Sequence, residues 1–432
     1  MPSTDAHELV LECLTVGIEA ARPAAAVDRN LNFSDADATG PILEVNGTSY
    51  PLDRYHEVLV VGGGKGSDEL AVALAELLGD YLDGGVVITD TQTTATEMIS
   101  ILEGEHPTPG SGSVAGGRAV LDAAVGADEE TLVIATVTGG ASALLCAPIP
   151  GIDVSSVRGV TDALLSSGAS IDELNTVRRA ISRIKGGKLA STAAPATVVG
   201  LYISDVVGDD PAVIGSGPTV SSDTTAADAL AVLDRYEVNA PDVITVLTDT
   251  VRQHAAGTDE TADNFVIGSN RDALEAIVSH SRATGHNCRI LSSTIEGEAR
   301  VVGTVHAAIA REIAGAGAPV EPPAILLSGG ETTVTVTGDG TGGPNLETAL
   351  AAAIDFPTSA VFAAVDTDGH DGSTPAAGAI VDADTVDNPD AARDALAAND
   401  SYSYLYEQGT LLETGSTGTN VNDLRVLVVP KT

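Results

Sequence analysis

The sequence predicts an α/β protein of two domains, and two observations support this. Short apolar runs alternate with helical segments along most of the 432 residues, a pattern typical of strands with covering helices. The chain is also longer than the roughly 250 to 300 residues at which a single hydrophobic core usually stops growing. We expect the first domain to span residues 1–240 and the second to span 241–432.

Strands in the first half of the chain lead into turns rich in glycine, hydroxyl groups or aspartate. Apolar runs at 58–61, 132–137 and 197–203 precede the segments GGGKGS, TGGASALL and SDVVGDD, and a helical pattern at 68–78 follows the first turn. An amphipathic helix is predicted before them at 5–21. Open α/β sheets bind ligands beyond the carboxyl ends of their strands, so we expect these turns to form one anion pocket.

The turn GGGKGS is close to two phosphate-binding motifs and matches neither. A dinucleotide fingerprint requires a third glycine where Ser67 stands, and a phosphate loop requires serine or threonine after its lysine, whereas Lys65 is followed by Gly66. What remains is a glycine turn with a lysine at a helix N-terminus. Such a turn binds an anion through backbone N–H groups, and a plain tight turn is the alternative.

Basic residues cluster in one stretch of an otherwise acidic chain. The protein has 61 Asp and Glu against 21 Lys and Arg, a formal charge of −40. Five basic residues fall within eleven positions: Arg178, Arg179, Arg183, Lys185 and Lys188. A solvated helix face is the ordinary explanation of a charge run, but cations collected on an acidic surface indicate a bound anion.

The same stretch carries the pattern of an amphipathic helix. Its apolar stripe is Leu174, Val177, Ile181 and Ile184, and its polar face is Asn175, Arg178, Ser182 and Lys185. Ser170 and Glu173 have the spacing of a capping box that begins the helix. The Gly186-Gly187 pair is expected to end it.

Carboxylates follow the strand at 197–203. Asp205, Asp209 and Asp210 lie in the segment SDVVGDD. Clustered carboxylates are unfavourable unless they are solvated or hold a cation, and Mg²⁺ is usually held by one or two carboxylates plus phosphates. Cations and carboxylates at one sheet edge are what nucleotide-dependent phosphoryl transfer requires.

One loop of the first half carries a histidine. The extended segment GEHPTPGSGS at 104–113 contains His106 between prolines and glycines. A single histidine serves either as a structural hydrogen-bonding group or in function, and the sequence leaves both open.

The second half of the chain is expected to form another α/β unit. Its predicted strands are 265–268, 289–292, 324–327 and 360–365, and its predicted helices are 271–283 and 299–314. The alternating segment TTVTVT predicts an antiparallel or edge strand. The loop after 360–365 contains Asp366, Asp368, His370 and Asp371, which fit either a metal site or a plain Asp-Gly turn.

Charge and cysteine content limit the classes of function. The net charge of −40 excludes nucleic-acid and anionic-membrane binding as the main activity, because both need a cationic surface. Cys13, Cys146 and Cys288 have no metal-type spacing and indicate a reducing compartment. The N-terminus lacks a secretory signal and no apolar run reaches 18 residues, so a soluble cytoplasmic protein is expected, as a monomer or a homodimer.

Together these segments resemble the glycerate 2-kinase family, whose second domain contains a segment called MOFRL, expected here at about 320–428. The matching stretches are VVGGGKG, EHPTP, TGGASALL, NTVRRAISRIKGGKLA through SDVVGDDPAVIGSGPT, SGGETTVTVTG, DTDGHDGSTPAAGA and TGSTGTNVNDL. They occur in order along most of the chain. The resemblance implies a Rossmann-like three-layer N-terminal domain with a mostly parallel sheet, a C-terminal α/β domain with a mixed sheet, and an active site in the cleft between them.

The same resemblance implies a kinase that transfers the γ-phosphoryl group of ATP, with Mg²⁺, to the 2-hydroxyl of D-glycerate. Lys65 and Arg178 would stabilise phosphoryl charge, and Asp205 would either hold the metal with Asp210 or accept the hydroxyl proton. The residues expected to bind substrate or phosphate are Gly63, Gly64, Gly139, Gly140, Ser142, Asn175, Lys185, Ser216, Gly217, Glu331, Asn345, Glu347 and Asp368.

One departure from the family pattern bears on this function. Pro344 stands where the family usually has arginine, which would act as a phosphate clamp. Either Arg178 or Arg179 covers that role, or the activity is altered. Two other functions stay open: an NAD(P)H-dependent hydroxypyruvate reductase, against which the missing fingerprint counts, and a non-catalytic protein that binds glycerate or a nucleotide.

The acidic composition predicts adaptation to a salty cytoplasm, because charge repulsion is screened within about 3 Å at 1 M salt. We expect the protein to lose structure when it is diluted from molar into millimolar KCl. Thermal melts followed by circular dichroism at the two salt concentrations measure this. A melting temperature as high in millimolar as in molar KCl would contradict the prediction.

Overall fold

The computed structural model describes residues 5–36, 40–252, 262–357 and 360–431. Its helices are α1 (Asp5–Ala21), α2 (Pro23–Asn30), α3 (Ser67–Leu78), α4 (Ser111–Val125), α5 (Ala141–Leu144), α6 (Val154–Ser166), α7 (Ile171–Ala180), α8 (Lys188–Ala193), α9 (Ala226–Arg235), α10 (Pro241–Arg252), α11 (Asn270–Ala283), α12 (Ala299–Ala316), α13 (Pro344–Ala353), α14 (Pro389–Ala397) and α15 (Ser401–Gln408). Its strands are β1 (Leu31–Ala36), β2 (Gly40–Val45), β3 (Thr48–Pro51), β4 (Glu57–Gly63), β5 (Gly84–Thr89), β6 (Ser100–Glu103), β7 (Thr131–Val137), β8 (Thr197–Ile203), β9 (Asp263–Gly268), β10 (Asn287–Ser292), β11 (Gly297–Glu298), β12 (Ala324–Gly330), β13 (Thr332–Thr333), β14 (Val361–Asp366), β15 (Gly378–Asp382), β16 (Leu411–Leu412) and β17 (Asp423–Val429). None of these helices is both long and apolar enough to cross a membrane.

The elements form two compact units whose boundaries differ from the expected ones. The first unit is Ala26–Ile267, and the second combines Met1–Ala25 with Gly268–Thr432. Helix α1 belongs to the second unit because it packs on α11 and β17. The expected division after residue 240 follows chain order, and chain order does not reveal that an N-terminal helix packs against elements from the other end of the sequence.

The first unit is built on a six-stranded sheet with the order β6-β5-β4-β7-β8-β9. Strand β4 pairs in parallel with β5 and β7, and β7 pairs in parallel with β8. Every residue of β7 is buried, as expected of a parallel strand covered on both faces. The predicted mostly parallel sheet is therefore confirmed. The sequence placed β9 in the second domain, which is wrong, because this strand joins the edge of the first sheet.

The basic stretch begins as predicted and leaves the helix early. The Ser170 hydroxyl accepts the N–H of Glu173 at 3.3 Å, and the Glu173 carboxylate accepts the N–H of Ser170 at 3.0 Å, which confirms the capping box. Helix α7 ends at Ala180 rather than at the predicted glycine pair, so the longer helix is wrong. Backbone groups of 181–183 hydrogen-bond to 147–149 instead, and these tertiary bonds replace the helical ones.

The second unit is built on a six-stranded sheet with the order β10-β12-β17-β14-β15-β16. Strand β10 runs parallel to β12, whereas β17 is antiparallel to both β12 and β14. The predicted mixed sheet is confirmed. Helix α13 packs against α12, β14 and β15, and it is buried along its length, which makes it the centre of this core.

The segment TTVTVT forms less strand than its alternation predicts. Only β13 is a strand there, and it pairs in parallel with β11 in a two-stranded sheet. Of the two predicted alternatives, the edge strand is therefore confirmed and the antiparallel strand is not. Beyond β13, side chains rather than a neighbouring strand accept the backbone N–H groups of this segment. The side-chain amide oxygen of Asn399 accepts the N–H of Thr337 at 2.7 Å, and the Glu298 carboxylate accepts the N–H of Thr335 at 3.4 Å.

Two glycines of α12 offer a matched test of the packing between α12 and α13. A Cβ at Gly303 would lie 2.1 Å from the carbonyl oxygen of Thr348, whereas a Cβ at Gly315 meets nothing within 4 Å. We expect Gly303→Ala to lower the free energy of unfolding by about 1 to 3 kcal/mol, because the helices must move apart. Gly315→Ala should raise it by up to about 1 kcal/mol through helix propensity. Urea unfolding measures both, and a Gly303→Ala protein as stable as the wild type would contradict this packing.

Candidate functional site

Two glycine turns lie side by side at the carboxyl ends of β4 and β7. The N–H of Lys65 donates to the carbonyl of Gly139 at 2.7 Å, and the Thr138 hydroxyl donates to the carbonyl of Lys65 at 2.8 Å. Gly63 ends β4 and accepts the N–H of Thr138 at 3.3 Å. At Gly64, with φ of +143°, a Cβ would lie 2.1 Å from the Thr138 hydroxyl oxygen. Only glycine allows this close approach of the two strand ends.

Three side chains meet around Gly140. Its N–H donates at 3.3 Å to Oδ2 of Asp205, which lies in the loop after β8. A Cβ at Gly140 would lie 2.9 Å from Cδ2 and 3.1 Å from Nε2 of His106, and 3.4 Å from Cγ of Lys65. Gly140 has φ of +80° and caps the N-terminus of α5. The structure thus brings Lys65 and Asp205 together, and it adds His106 to them.

The Asp205 carboxyl group is half-buried, and its protonation equilibrium is shifted. Burial raises the pKa of Asp205 above its usual range, while backbone hydrogen bonds and the charge of Lys65 act in the opposite direction. A carboxylate with a raised pKa is a better proton acceptor near neutral pH, which suits a general base.

Three backbone N–H groups of these turns donate hydrogen bonds within the protein. Gly64 donates to a β5 carbonyl at 2.9 Å, Lys65 donates to Gly139, and Gly140 donates to Asp205. The sequence predicted that N–H groups here cradle an anion. In the structure these three donors join the strand ends, and the turns also position the Lys65 and Asp205 side chains.

Lys185 is a buried cation with little compensation. Its side chain is 5% exposed, and Nζ donates to the carbonyl of Gly215 at 3.4 Å. Burial lowers the pKa of Lys185 to about 7, Cys146 opposes this, and Arg178 lowers it further. Burial also lowers the pKa of Arg178, whose guanidinium has no hydrogen bond or ion pair with any described residue. Lys185 is therefore buried and Arg178 is half-buried, and neither cation has a carboxylate partner among the described residues.

Asn175 and Ser216 add polar groups to the part of the structure that contains Arg178 and Lys185. The Ser216 hydroxyl donates to Oδ1 of Asn175 at 2.8 Å and lies 3.5 Å from the hydroxyl of Ser142 on α5. Nδ2 of Asn175 is buried and has no hydrogen-bond partner among the described residues. An unpaired buried donor costs about 1 to 3 kcal/mol, so this amide and the two cations point to a bound anion. Helix α5, which Gly140 caps, connects this group to Lys65 and Asp205.

The loop beside Ser216 is held by backbone hydrogen bonds. The N–H of Gly186 donates to the carbonyl of Ser216 at 3.1 Å, and the N–H of Gly187 donates to the carbonyl of Gly217 at 2.8 Å. Ser216 and Gly217 both have positive φ, 64° and 67°. These bonds hold the predicted site residues Ser216 and Gly217 against the glycine pair of the basic stretch.

The other cations of the basic stretch serve the fold. Arg179 donates to the carbonyl of Ala212 at 2.6 Å, and Lys188 donates to the carbonyls of Arg179 and Ser182, each at 2.6 Å. Arg183 is exposed at the surface. The charge cluster seen in the sequence is thus partly structural, because long cationic side chains also satisfy backbone carbonyls left without helical partners.

Asp205 and Asp210 do not form a metal site from protein ligands alone. Asp210 is exposed, and its Oδ1 accepts the N–H of Ala212 at 2.9 Å. No group of three or more His, Cys, Asp or Glu suited to a metal occurs in the part of the chain that the structure describes. Mg²⁺ is usually held by one or two carboxylates plus phosphate oxygens and water, so a site of this kind would need ligands other than these two residues.

Two predicted site residues of the second unit lie in its core. Asn345 and Glu347 are 1% exposed in the first turn of α13. Nδ2 of Asn345 donates to Oδ1 of Asp423 at 2.6 Å, and Oε1 of Glu347 accepts from Nδ2 of Asn399 at 2.7 Å. Arg300 also pairs with Glu347 at 2.9 Å. Most of their polar atoms are therefore engaged within the unit, whereas Oδ1 of Asn345 is buried without a hydrogen-bond partner among the described residues.

The remaining predicted residues of the second unit lie nearer its surface. Glu331 is exposed after β12, and Asp368 is half-buried in the loop after β14, where its Oδ1 accepts the N–H of His370 at 2.9 Å. Pro344 is the first residue of α13. Proline suits this position because the first N–H of a helix has no partner within the helix.

A buried charged cluster beside α13 was not predicted from the sequence. The Asp371 carboxylate accepts the N–H groups of Asn345 at 2.9 Å and Leu346 at 2.8 Å and so caps the helix. Arg425 is fully buried and pairs with Asp423. Burial raises the pKa of Asp371 to about 7. The aspartates of DTDGHDG were the available signal, but the sequence does not show which of them packing buries.

Comparisons with known proteins cover both units. A family model described as Domain of unknown function (DUF4147) matches residues 9–248, and one described as MOFRL family matches residues 324–423. Glycerate 2-kinase from Pyrococcus horikoshii is 37% identical, covering 99% of this chain and 98% of that protein. A putative hydroxypyruvate reductase from Agrobacterium vitis is 40% identical, covering 86% of this chain and 99% of that protein. The crystal structure of a glycerate kinase from Thermotoga maritima has a TM-score of 0.85 and 34% identity, covering 98% of this chain and 99% of that one.

Replacing Lys185 by methionine tests whether the buried cation destabilises the fold. Its pKa is about 7 in the folded protein and about 10.5 in the unfolded chain, so unfolding takes up a proton between these values. The penalty is fully present below pH 7 and disappears as the pH rises toward 10.5. We expect Lys185→Met to raise the free energy of unfolding at pH 7 by about 1 to 4 kcal/mol, with a gain that shrinks toward pH 10 in urea melts.

Lys188→Met is the matched control for this measurement. Lys188 is half-buried, and its ammonium donates hydrogen bonds to two carbonyls at 2.6 Å. Its replacement should therefore lower the free energy of unfolding by about 1 to 3 kcal/mol. The prediction fails if Lys185→Met destabilises the protein as much as the control does.

Proposed function

The chain belongs to the glycerate 2-kinase family, and we propose that it transfers the γ-phosphoryl group of ATP to the 2-hydroxyl of D-glycerate, giving 2-phosphoglycerate and ADP. Relatives named as glycerate kinases match nearly the whole chain and support this reaction. The structural observation that supports it most is the convergence of Lys65, Asp205 and the Gly140 turn at the carboxyl edge of the first sheet.

Phosphoryl transfer depends mainly on positioning and on neutralising charge, and the pocket offers groups for both. The 2-hydroxyl oxygen of glycerate forms a bond to the γ-phosphorus, the bond from phosphorus to the bridging oxygen of ADP breaks, and the hydroxyl proton leaves to a base. Lys65 stabilises charge on the transferred group. Arg178, Lys185 and Nδ2 of Asn175 bind phosphate oxygens or the glycerate carboxylate, because they are buried or half-buried donors without a carboxylate partner among the described residues.

Asp205 has one of two roles, proton acceptor or magnesium ligand. Its raised pKa favours proton transfer, and its place beside Lys65 favours a ligand of a phosphate-bound ion. Asp210, in the same loop, is the second candidate ligand. Magnesium, when bound, supplies positive charge between phosphate oxygens.

The first unit carries the phosphoryl charge in this proposal. Pro344 gives the start of α13 no guanidinium, so a clamp of the family type is absent from that position. Arg179 is committed to the carbonyl of Ala212. Arg178 is half-buried and has no side-chain partner among the described residues, and we assign the charge of the missing clamp to it together with Lys185.

A hydroxypyruvate reductase is the second candidate, because relatives at 39 to 40% identity are named putative hydroxypyruvate reductases. Reduction by NAD(P)H needs a dinucleotide site, and the turn GGGKGS lacks the third glycine of the fingerprint. A protein that binds glycerate or a nucleotide without turnover is the third candidate.

One incubation separates the three functions. The protein is mixed with D-glycerate, ATP and Mg²⁺ in molar KCl, and phosphorus NMR identifies the product. A 2-phosphoglycerate resonance with ADP is the expected result. NADH oxidation with hydroxypyruvate, without ADP formation from D-glycerate, would establish the reductase, and ligand binding with neither reaction would establish the binding protein.

Arg178→Glu should abolish phosphoryl transfer rather than only weaken binding. A carboxylate there repels the phosphoryl charge that the arginine stabilises, so we expect kcat to fall by at least about 100-fold. Arg183→Glu is the control, since it makes the same charge change at an exposed position of the same stretch. Steady-state ADP formation measures both variants. Equal rates of ADP formation in the two variants would contradict the proposed role of Arg178.

A further inference from the structure

A surface pocket lies between helix α11 and strand β10 of the second unit. Its volume is about 330 Å³, which is within the range of pockets that hold small molecules. None of its residues belongs to the candidate functional site. Eight residues line the pocket, among them Arg271, Arg282, Arg289, Glu275, Val278 and Ile290.

The lining of this pocket has the opposite charge to the chain as a whole. Arg271, Arg282 and Arg289 line it together with one carboxylate, Glu275, so its formal charge is +2, three positive charges less one negative. The whole chain contains 61 acidic and 21 basic residues. A cationic concavity on an acidic protein attracts anions, because its lining concentrates the positive potential.

The two elements present these residues from different directions. Arg271, Glu275, Val278 and Arg282 follow one another at intervals of four, three and four residues, which is the spacing of one helix face. Helix α11 packs on β10, the edge strand of its sheet, and β10 supplies Arg289. The pocket therefore has one wall from a helix and one from a strand, both of which are regular elements.

Arg282 has hydrogen-bonding capacity to spare. Its exposed guanidinium has no hydrogen bond or ion pair with any described residue. Arg271 donates at 2.7 Å to a carboxylate of its own helix, and Arg289 donates at 3.0 Å to the carbonyl of Cys288. Burial raises the pKa of Cys288, and the charges of Arg282 and Arg289 oppose this. Both charges therefore act on the same sulfur atom, which places them at one part of the lining.

Each arginine also has a structural explanation of its own. Arg271 forms an i,i+4 ion pair, Arg282 complements the dipole in the last turn of α11, and Arg289 protects an edge strand from pairing. These explanations are independent of one another and predict cations spread over the surface. They do not predict three arginines around one concavity that also includes the apolar residues Val278 and Ile290.

The size of the pocket favours a small ligand over a protein partner. A stable protein interface uses about 20 to 30 residues on each side, whereas eight residues line this pocket. Guanidinium groups bind phosphate oxygens through pairs of parallel hydrogen bonds. A phosphate group carries about −1.5 to −2 charges near neutral pH, which is close to the +2 of the lining. The apolar residues offer contacts to the organic part of such a molecule.

We propose that this pocket is a binding site for a small organic phosphate, whose phosphate group is held by Arg282 and Arg289 and whose apolar part packs against Val278 and Ile290. All of these residues belong to the second unit. The site is separate from the residues proposed for phosphoryl transfer, and it does not depend on the proposed function.

Protection of the arginines from phenylglyoxal tests this site in the intact protein. The reagent modifies accessible guanidinium groups, and peptide mass spectrometry follows Arg282, Arg289 and a control arginine separately in molar KCl. Phenyl phosphate at about ten times its dissociation constant should slow the modification of Arg282 and Arg289 about 10-fold. The control is Arg118, which is exposed on α4 in an i,i+4 ion pair and lies outside the pocket, so its rate should not change.

Arg282→Gln removes the charge and most of the donors from one side of the site. We expect the dissociation constant of phenyl phosphate, measured by isothermal titration calorimetry, to rise at least about 10-fold. The melting temperature should be unchanged, because the side chain is exposed and has no partner among the described residues. Arg118→Gln makes the same charge change and should keep the wild-type dissociation constant. Phenyl phosphate bound at the candidate functional site contributes the same heat in both variants.

Several results would overturn the proposal. Equal modification rates with and without phenyl phosphate, or a wild-type dissociation constant in the Arg282→Gln protein, show that the pocket does not bind the phosphate. Equal protection by benzyl alcohol shows that the negative charge is not recognised, and equal protection by inorganic phosphate contradicts the role of the apolar residues. A dimer in sedimentation velocity that Arg282→Gln dissociates would replace the small ligand by a second copy of the chain.

Discussion

The hydrogen bond from the N–H of Lys65 to the carbonyl of Gly139 joins the two turns on which the candidate site depends. Parallel pairing of β4 and β7 brings their carboxyl ends to one edge, and this bond continues the contact beyond the strands. The bond forms only because Gly64 lets the backbone approach Thr138. With the turns fixed in this way, Lys65 and Asp205 meet around Gly140 on a rigid part of the sheet.

The pocket also contains groups that are unfavourable for folding. Lys185 is buried with one long hydrogen bond, Arg178 is shielded from water, and Nδ2 of Asn175 has no partner in the described chain. A chain with a charge of −40 has many carboxylates, yet no described carboxylate forms an ion pair with either cation. Stability is commonly reduced at sites that bind ligands, because the ligand supplies the missing partners.

The residues of the family motifs have different surroundings in the two units. In the first unit the glycine turns and the loop after β8 present side chains at the edge of the sheet. In the second unit, Asn345 and Glu347 lie in the core, where Asp423 and Arg300 engage them. Contacts within the second unit thus hold both side chains in place, and a motif match by itself does not show that they are buried.

The sequence by itself determined the elements that depend on local patterns. The apolar runs of β7 and β8, the glycine turns and the capping box at Ser170 were all predictable, because neighbouring residues decide them. Only the tertiary structure decided that α7 ends at Ala180 and that α1 joins the second unit. It also separated Lys185, which is buried without a carboxylate partner, from Lys188, which satisfies carbonyls. Contacts between residues distant in the chain decide such features, and no local spacing encodes them.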